Sequence, residues 1–457
     1  MKKMTLKKAF VLVFVLIYLL PFIFFRFGHG IVSTADNAML PEISLDDGLH
    51  PTQFVEYLRK RLGLRDQAVA SYIDLNDKLF GKLEHPSYFW GQDGYTFGAG
   101  SGPYDPFFIN AFCYYLRQIQ DFCEARDVPF LYCLNPSKYT VYREYLPKGQ
   151  IYSNPFLECM YKKLDYYGVN YISNAEYLHE LAAAEQIYNK KYDANHWNDL
   201  GAFYGTNHML EAMAQNWPAI ELLTPSDFII STQIQESLPV SYFEINEEVP
   251  LYTNAHEDNI ENLTSLYSDL RLTDHYAHYH YRTIDADPSL PRVLFFHGSY
   301  YIRNNCFYAS AFREIDAVHN YENILDFVYY FNIFQPDYVV IETAEYATST
   351  SYFDYDRLVS TTLPMSLAQQ DMSTAKQLDM AEFESRGSEY GLSNFTSTAN
   401  EGSNLITISF DCSVDYSQIY LCANGCEYIM ELSDEAAQLT MDTSRSDLSN
   451  AVLYLFE

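Results

Sequence analysis

Two short segments of the chain carry residue types suited to nucleophilic catalysis. In the first, residues 192–198, Asp193 lies three positions before His196, just ahead of a predicted helix. At this spacing the carboxylate can accept a hydrogen bond from one ring nitrogen of His196 and fix its tautomer, which leaves the other nitrogen to accept a proton. The structural alternative is that Asp193 or Asn195 caps the helix while His196 packs under Trp197.

The second segment, residues 295–300, is an apolar strand that ends in a small turn and presents Ser299. Open α/β sheets place their active sites at the carboxyl edge of the strands, so Ser299 is a candidate nucleophile. An ordinary Gly-Ser turn is the alternative. His297 is a rival base, although neighbouring residues on a strand point to opposite faces of the sheet.

The elements around both segments alternate between helices and short apolar strands. The predicted strands are 129–134, 170–172, 292–296, 314–318 and 338–341. The predicted helices are 110–126, 155–166, 174–184, 199–215, 304–312 and 321–334. This alternation predicts an α/β fold with a parallel sheet covered by helices on both faces.

The chain length and these patterns predict several units. They are cytoplasmic lysines and a transmembrane anchor (1–30), a helical and β-hairpin lead-in (31–98), an α/β domain with an insertion at 216–290 (99–347), a linker (348–391) and a small β domain (392–457). Period-two alternation at 405–410, 419–422 and 451–455 predicts the last of these.

Together these segments resemble the SGNH/GDSL hydrolase superfamily, and more closely its permuted branch in alginate O-acetylation proteins and related bacterial polysaccharide acetyltransferases. In ordinary members the serine block comes first and the DxxH block last, whereas here the order is reversed. The resemblance spans about residues 50–346. Its further segments are Arg65-Asp66, 90–95, 135–142, 196–202 and 336–342.

The resemblance implies an SGNH-like fold in which Ser299 is the nucleophile, His196 the base and Asp193 the group that orients the base. It also implies a covalent acyl-enzyme. The sequence departs from the family pattern, because it reads His-Gly-Ser where relatives have Gly-Asp-Ser and it lacks the separate Gly and Asn blocks of the oxyanion hole. An incomplete hole costs two or more powers of ten in rate.

Other residues are predicted to complete the site. The backbone N–H of Ser299 is one oxyanion donor. The side-chain candidates for the oxyanion or the substrate are Asn135, Lys138, Trp197, Asn304 and Asn305. Lys138 contacts a sugar or braces the site, with bracing favoured, and Glu342 and Glu345 are interpreted as polar partners at the sheet edge.

The function implied by the resemblance is extracytoplasmic O-acetylation of a cell-surface or secreted polysaccharide, without a cofactor. By analogy with the family, a membrane-bound O-acyltransferase would supply the acetyl group. Two alternatives remain open. One is a non-catalytic glycan-binding or assembly protein with the same fold, and the other is a carbohydrate acetyl-esterase.

Composition limits these possibilities further. A content of 48% hydrophobic and 17% aromatic residues predicts a folded protein. A net charge of −31 argues against nucleic acid as a partner, because such a field repels phosphates. The eight cysteines show no zinc-type spacing, so no structural metal is predicted. Cys412, Cys422 and Cys426 are candidates either for a disulfide or for buried thiols.

The N-terminus predicts a membrane location. Lys2, Lys3, Lys7 and Lys8 precede an apolar run over residues 9–25. Positive charge stays in the cytoplasm, so everything after Arg26 is expected outside. A signal peptide cleaved near Ser33-Thr34-Ala35 is the alternative, and the uncleaved anchor is favoured because this site lies far beyond the apolar run.

Overall fold

The structure is a computed structural model that describes residues 6–33, 38–42, 51–80, 88–98, 104–236, 245–272, 278–445 and 448–457. Some predictions from the sequence fall outside these ranges. They are the placement of Lys2 and Lys3, the Thr34-Ala35 part of the cleavage site, and the start of the α/β domain at residue 99.

The helices of the described chain are α1 (Leu6–Ile23), α2 (Pro51–Lys60), α3 (Arg65–Phe80), α4 (Pro106–Glu124), α5 (Lys138–Val141), α6 (Pro155–Tyr167), α7 (Ala175–Leu181), α8 (Asp199–Ala214), α9 (Phe327–Phe334), α10 (Tyr355–Ser360) and α11 (Phe383–Arg386). The expected alternation of helices and strands is therefore present from α4 onward. The helix predicted at 304–312 is instead a single 3-10 turn, Asn305–Phe307.

The strands are β1 (Val32–Ser33), β2 (Ala38–Met39), β3 (Tyr88–Trp90), β4 (Thr96–Gly98), β5 (Phe130–Asn135), β6 (Tyr171–Ser173), β7 (Phe228–Gln235), β8 (Glu247–Asn254), β9 (Ile260–Asn262), β10 (Tyr279–Thr283), β11 (Arg292–His297), β12 (Glu314–His319), β13 (Tyr338–Ala344), β14 (Lys376–Asp379), β15 (Leu392–Ala399), β16 (Leu405–Cys412), β17 (Gln418–Ala423), β18 (Cys426–Ile429), β19 (Glu431–Leu432), β20 (Ala436–Asp442) and β21 (Val452–Phe456).

Seven of these strands form the central sheet, in the order β6-β5-β13-β11-β12-β10-β9. The pairs among β6, β5, β13, β11 and β12 are parallel. The carboxyl ends of β5, β11 and β13 therefore meet at one edge, which is where an open α/β sheet places a site.

The central strands are buried on both faces, as their continuous apolar runs predict. On β11, Val293 and Phe295 face the apolar core that α8 covers, whereas Leu294 and Phe296 face the core that α4 covers. Each such side chain contributes about 1.5–3 kcal/mol of hydrophobic free energy when it leaves water. The strand is thereby fixed in register, and the turn that follows it is held in place.

Two sequence predictions about this sheet are corrected. The sheet is mixed rather than all-parallel, because β10 pairs antiparallel with both β12 and β9. Both strands come from the 216–290 region that was predicted to be an insertion, and within it β7 and β8 form a separate hairpin. Short strands with mixed polar and apolar residues, such as Tyr279–Thr283, give no clear alternation in the sequence.

The C-terminal β region forms two four-stranded sheets, β14-β21-β17-β18 and β15-β16-β20-β19. It begins earlier than the predicted boundary at 392, because β14 pairs with β21. Residues 348–391 are therefore not simply a linker, and they also contain α10, which packs against α4. Leu405, Tyr420 and Ile429 join the same apolar core as α4 and α9, so the β region is packed firmly on the α/β domain.

The N-terminal helix α1 forms over most of the predicted apolar run, with exposed side chains such as Phe10, Phe14 and Ile17. Among the described residues, no helix has both the length and the apolar character that crossing a membrane requires. All eight cysteines are unpaired thiols, including Cys412, Cys422 and Cys426.

Candidate active site

The loop before α8 holds the histidine in place. Asp193 adopts a left-handed backbone conformation (φ 67°). Its Oδ1 accepts hydrogen bonds from the backbone N–H groups of Asn195 and His196, at 2.9 and 3.0 Å. Its Oδ2 accepts from His196 Nδ1 at 2.8 Å. The helix cap is instead Asn198, whose side chain accepts from Gly201 N, so the capping alternative for Asp193 and Asn195 is wrong.

The structure brings the two segments together. Ser299 follows β11, and its Oγ lies 3.0 Å from His196 Nε2. A hydrogen-bonded chain thus runs from Asp193 through His196 to Ser299, across 103 residues of sequence between the last two. In this arrangement Nδ1 carries a proton for Asp193 and Nε2 can accept one from the serine hydroxyl.

Tyr346 is a fourth member of this group. Its hydroxyl lies 2.6 Å from Ser299 Oγ and 2.7 Å from His196 Nε2. Burial raises the pKa of this hydroxyl well above its ordinary value, so it remains protonated and can donate a hydrogen bond. Tyr346 was not among the residues predicted from the sequence. It follows β13, which is next to β11 in the sheet, and only this neighbouring position could have drawn attention to it.

The electrostatics of Asp193 and His196 suit a general base. Burial raises the pKa of Asp193, but His196 and two backbone donors outweigh it and hold the pKa at about 2. Burial lowers the pKa of His196, but the Asp193 carboxylate offsets this and leaves the pKa above its ordinary value. The side chains of His196 and Asp193 are 30% and 33% exposed, so a substrate can reach them from solvent.

A buried polar network lies beneath the serine turn. Glu342, on β13, is fully buried, and its two carboxylate oxygens accept from Gly298 N at 2.6 Å and from Asn135 Nδ2 at 2.8 Å. Asn135 in turn accepts from Asn174 Nδ2 at 2.7 Å, and Asn174 lies 2.6 Å from His208 Nδ1. Burial raises the pKa of Glu342 to about 7. This network fixes the Gly298-Ser299 turn against the neighbouring strands.

The predicted oxyanion donors are engaged elsewhere. Asn135 is fully buried and donates to Glu342. Asn304 donates to Tyr300 O at 2.8 Å, and Asn305 donates to the hydroxyl of Tyr281 at 2.7 Å. These amides stabilise the turns around the site, and the geometry gives no support to an oxyanion role for them.

The other candidates brace the site. Lys138 is fully buried, donates to the carbonyl oxygens of Lys190 and Asp193 at 2.9 and 3.0 Å, and has a pKa lowered to about 7 by burial. Trp197 is buried and donates to Tyr300 O at 3.2 Å. His297 is also buried, and its Nδ1 lies 2.9 Å from Gly298 O, so it takes no part in the Ser299 contact.

A cleft of about 460 Å³ opens beside this group. Tyr346 and Asn195 form part of its wall, next to Ser299 and His196. The volume is within the range of about 300–1,000 Å³ that is usual for small-molecule sites. The cleft adjoins the nucleophile through Tyr346, whose hydroxyl contacts Ser299 Oγ.

A second titratable cluster lies away from this cleft. His278, His280 and Asp316 are buried, and each has one side-chain atom of a type that can bind a metal within 4.8 Å of the others. This grouping was not predicted from the sequence. His280 directs Nδ1 to Asp316 and Nε2 to Glu314 (2.7 Å), so both nitrogens face carboxylates. Burial lowers the pKa of His280, but the two carboxylates outweigh it and raise the pKa to about 9.

Comparisons with known proteins identify no family. No family model matches the chain, and no curated protein does either. Among solved structures, Bacillus cereus PatB1 with a sulfonyl adduct is 17% identical, with a TM-score of 0.46 over 58% of this chain and 98% of that one. The O-acetyltransferase domain of Pseudomonas putida AlgJ is 15% identical, with a TM-score of 0.41 over 63% and 97%.

A DHHW family protein from Eubacterium siraeum is 16% identical, with a TM-score of 0.43 over 62% of this chain and 98% of that one. At these identities and scores the matches are likenesses only, and they transfer no residue role. The site is defined by the contacts that this chain makes between Ser299, His196, Asp193 and Tyr346.

Proposed function

We propose that the chain is a serine-dependent O-acetyltransferase that modifies a polysaccharide outside the cytoplasm. The observation that carries the proposal is the hydrogen-bonded chain Asp193–His196–Ser299 at the carboxyl edge of the sheet. This arrangement activates a hydroxyl that would otherwise be a weak nucleophile near neutral pH. The choice of acetyl as the acyl group and of a polysaccharide as the acceptor comes from the sequence resemblance.

In the first half-reaction, Ser299 Oγ attacks the acetyl carbonyl of the donor while its proton passes to His196 Nε2. Asp193 stabilises the imidazolium that forms. The backbone N–H of Ser299 and the Tyr346 hydroxyl, which contacts Ser299 Oγ, would donate to the developing oxyanion. The bond from the carbonyl to the leaving group then breaks, and the leaving group takes the proton from His196. Acetyl-Ser299 remains.

In the second half-reaction, a hydroxyl of the acceptor sugar loses its proton to His196 and attacks acetyl-Ser299. The collapse of this intermediate returns the proton to Ser299 Oγ and releases the acetylated sugar. Water in place of the sugar gives acetate, which is the esterase outcome. The two outcomes therefore differ only in the second nucleophile.

The experiment is to incubate the purified chain with an activated acetyl ester and search for acetyl-Ser299 by peptide mass spectrometry. The acetylated peptide is then followed with and without an oligosaccharide acceptor. Acetyl transfer to the sugar supports the proposal, and release of acetate alone supports the esterase. The absence of acetyl-Ser299 under all conditions contradicts both.

A non-catalytic glycan-binding protein is the second candidate, because Tyr346 contacts both Ser299 Oγ and His196 Nε2 and thereby competes for the proton acceptor. Tyr346→Phe separates the two functions. In a transferase, the loss of this oxyanion donor lowers kcat about 10²-fold or more. In an inactive protein, acetyl-Ser299 is absent in the wild type and in the variant alike, while glycan binding persists.

We also propose that the N-terminal segment tethers the chain to the membrane with residues 27–457 outside, and that a membrane-bound O-acyltransferase supplies the acetyl group. The features that support the tether are Lys7 and Lys8 before an apolar run and the exposed apolar side chains of α1. The donor enzyme is proposed from the sequence resemblance alone. A phosphatase that works only outside the cytoplasm, fused after residue 60, should be active. Activity of a cytoplasm-only reporter at the same position would contradict this orientation.

A further inference from the structure

The cleft beside Ser299 has the chemistry of a carbohydrate site. Six aromatic side chains line it: Phe89, Tyr104, Phe108, Tyr139, Phe156 and Tyr346. Aromatic faces carry negative charge density and attract weakly positive groups such as the C–H bonds on one side of a pyranose ring. Between the rings lie neutral polar side chains, among them Gln150, Ser153 and Thr350, all exposed to solvent.

The charged groups of the cleft are acidic. Among the described residues that line it, Asp105 and Glu345 are the ones with a formal charge, and no Lys, Arg or His is present. Asp105 accepts from the first N–H groups of α4, and Glu345 accepts from Ser137 N at 3.0 Å and from Thr140. Burial raises the pKa of Glu345. Both carboxyl groups therefore accept hydrogen bonds from nearby donors. Neither is paired with a cation that could also bind the carboxylate of a uronate.

Lys138 lies between the lining residues Ser137 and Tyr139 in the sequence, but it is fully buried and donates to backbone carbonyl oxygens. The net charge of −31 adds a long-range field that repels anions. A polyuronate would therefore lose the hydration of its carboxylates without gaining a cationic partner, whereas an uncharged sugar avoids this cost.

We infer that the acceptor bound in this cleft is an uncharged glycan segment, built from hexose or N-acetylhexosamine units, and not an acidic polysaccharide. The inference rests on the proposed function, because it takes the cleft beside Ser299 as the acceptor site. It refines the substrate class of that function through the aromatic lining and the absence of cations among the described lining residues.

The binding experiment uses the full chain as Ser299→Ala, which holds ligands without turnover. Calorimetry at about 0.15 M salt, where the Debye length is about 8 Å, measures Kd for four probes. Tetramers of β-linked glucose and of N-acetylglucosamine are neutral, and tetramers of mannuronate and of galacturonate are anionic. We expect at least one neutral tetramer to bind tenfold or more tightly than either uronate. Equal or tighter binding of a uronate, or no binding of any neutral probe, overturns the inference.

Two variants locate the binding. Tyr139→Ala removes a cleft ring and should weaken neutral-tetramer binding about tenfold, whereas Tyr166→Ala, an exposed tyrosine on α6, should leave it unchanged. Thr350→Lys adds a cation to the rim and should strengthen uronate binding at low salt, whereas Thr398→Lys on β15 should not. Equal effects of the cleft variants and their controls would contradict binding in this cleft.

The inference and the proposed function can fail separately. Acetyl-Ser299 formation on the wild type, without any glycan, tests the triad alone. A chain that acylates but prefers uronates overturns only the neutral-acceptor inference. A chain that binds neutral tetramers in the cleft and never acylates contradicts the transferase and supports the cleft assignment.

Discussion

In the proposed mechanism one proton passes from Ser299 to His196, so the effects of substitutions at the two residues on kcat should not add. Ser299→Ala and His196→Ala should each lower kcat for a surrogate acetyl ester by about 10³-fold or more, and the double variant should be scarcely worse. Asp193→Asn should be weaker but still severe, because it destabilises the tautomer that the 2.8 Å contact selects. The measurement is burst and steady-state kinetics, with far-ultraviolet circular dichroism to confirm folding. If the losses in kcat of the single variants added in the double variant, Ser299 and His196 would have two independent structural roles.

The pH dependence of the rate follows from the same contact. His196 must be neutral to act as a base, and Asp193 holds its pKa above 6.5. The kcat/KM for an activated ester should therefore rise with pH through a pKa above 6.5 and reach a plateau on the alkaline side. In Asp193→Asn the residual activity should rise at a lower pH, since the charge that stabilises the imidazolium is gone. A profile that falls with pH over this range would contradict the base assignment.

At the scale of elements, the serine turn depends on strands that the sequence does not place beside one another. Asn135 at the end of β5 and Glu342 on β13 support Gly298 from below, and both side chains are fully buried. Asn135→Ala leaves a buried carboxylate oxygen without its donor, so we expect a loss of about 1–3 kcal/mol in the free energy of unfolding. The exposed Asn400→Ala is the control, with a change within about 0.5 kcal/mol.

Denaturant titration of both variants measures this difference, and a surrogate-ester assay in parallel tests the link to the site. Because Asn135 positions the turn and does not contact Ser299, its loss should lower activity less than Ser299→Ala does. An Asn135→Ala protein as stable as the wild type would show that the network does not hold the turn.

How much of this could be predicted differs between elements. The apolar strand before Ser299 and the DxxH spacing were each ambiguous alone, and only their combination in a family resemblance nominated the three residues that the structure brings together. Their catalytic roles stay a prediction. The role of Tyr346 could not be predicted, because this residue reaches Ser299 only when β13 lies beside β11. No local sequence pattern indicates that these two strands are neighbours. β10 and β14 were missed because strands of four or five residues with mixed polarity take their pairing from tertiary contacts.

At the scale of the whole molecule, a buried ionic cluster ties the C-terminal β region to the central sheet. Arg445 lies 2.6 Å from Glu314, 3.7 Å from Asp316 and 3.1 Å from Asp442. Asp442 also accepts from the Tyr267 hydroxyl at 2.7 Å. Removal of one partner from a buried ionic pair costs about 3–5 kcal/mol, because it leaves an uncompensated charge. Arg445→Met should therefore loosen the β region, seen as faster proteolysis after residue 348.

The same cluster predicts how stability depends on pH. His280 lies between Asp316 and Glu314, and although burial lowers its pKa, the two carboxylates raise it from 6.5 to about 9. A raised folded-state pKa contributes stability that is fully present below 6.5 and is lost as the pH rises through 9. The neighbouring His278 has a lowered pKa, with burial as its main cause, so it does not supply this effect. Calorimetric Tm should therefore fall between pH 6.5 and 9 more steeply in the wild type than in His280→Gln. If the two Tm profiles fall in parallel, the His280 imidazolium between β10 and β12 does not supply the pH dependence of stability.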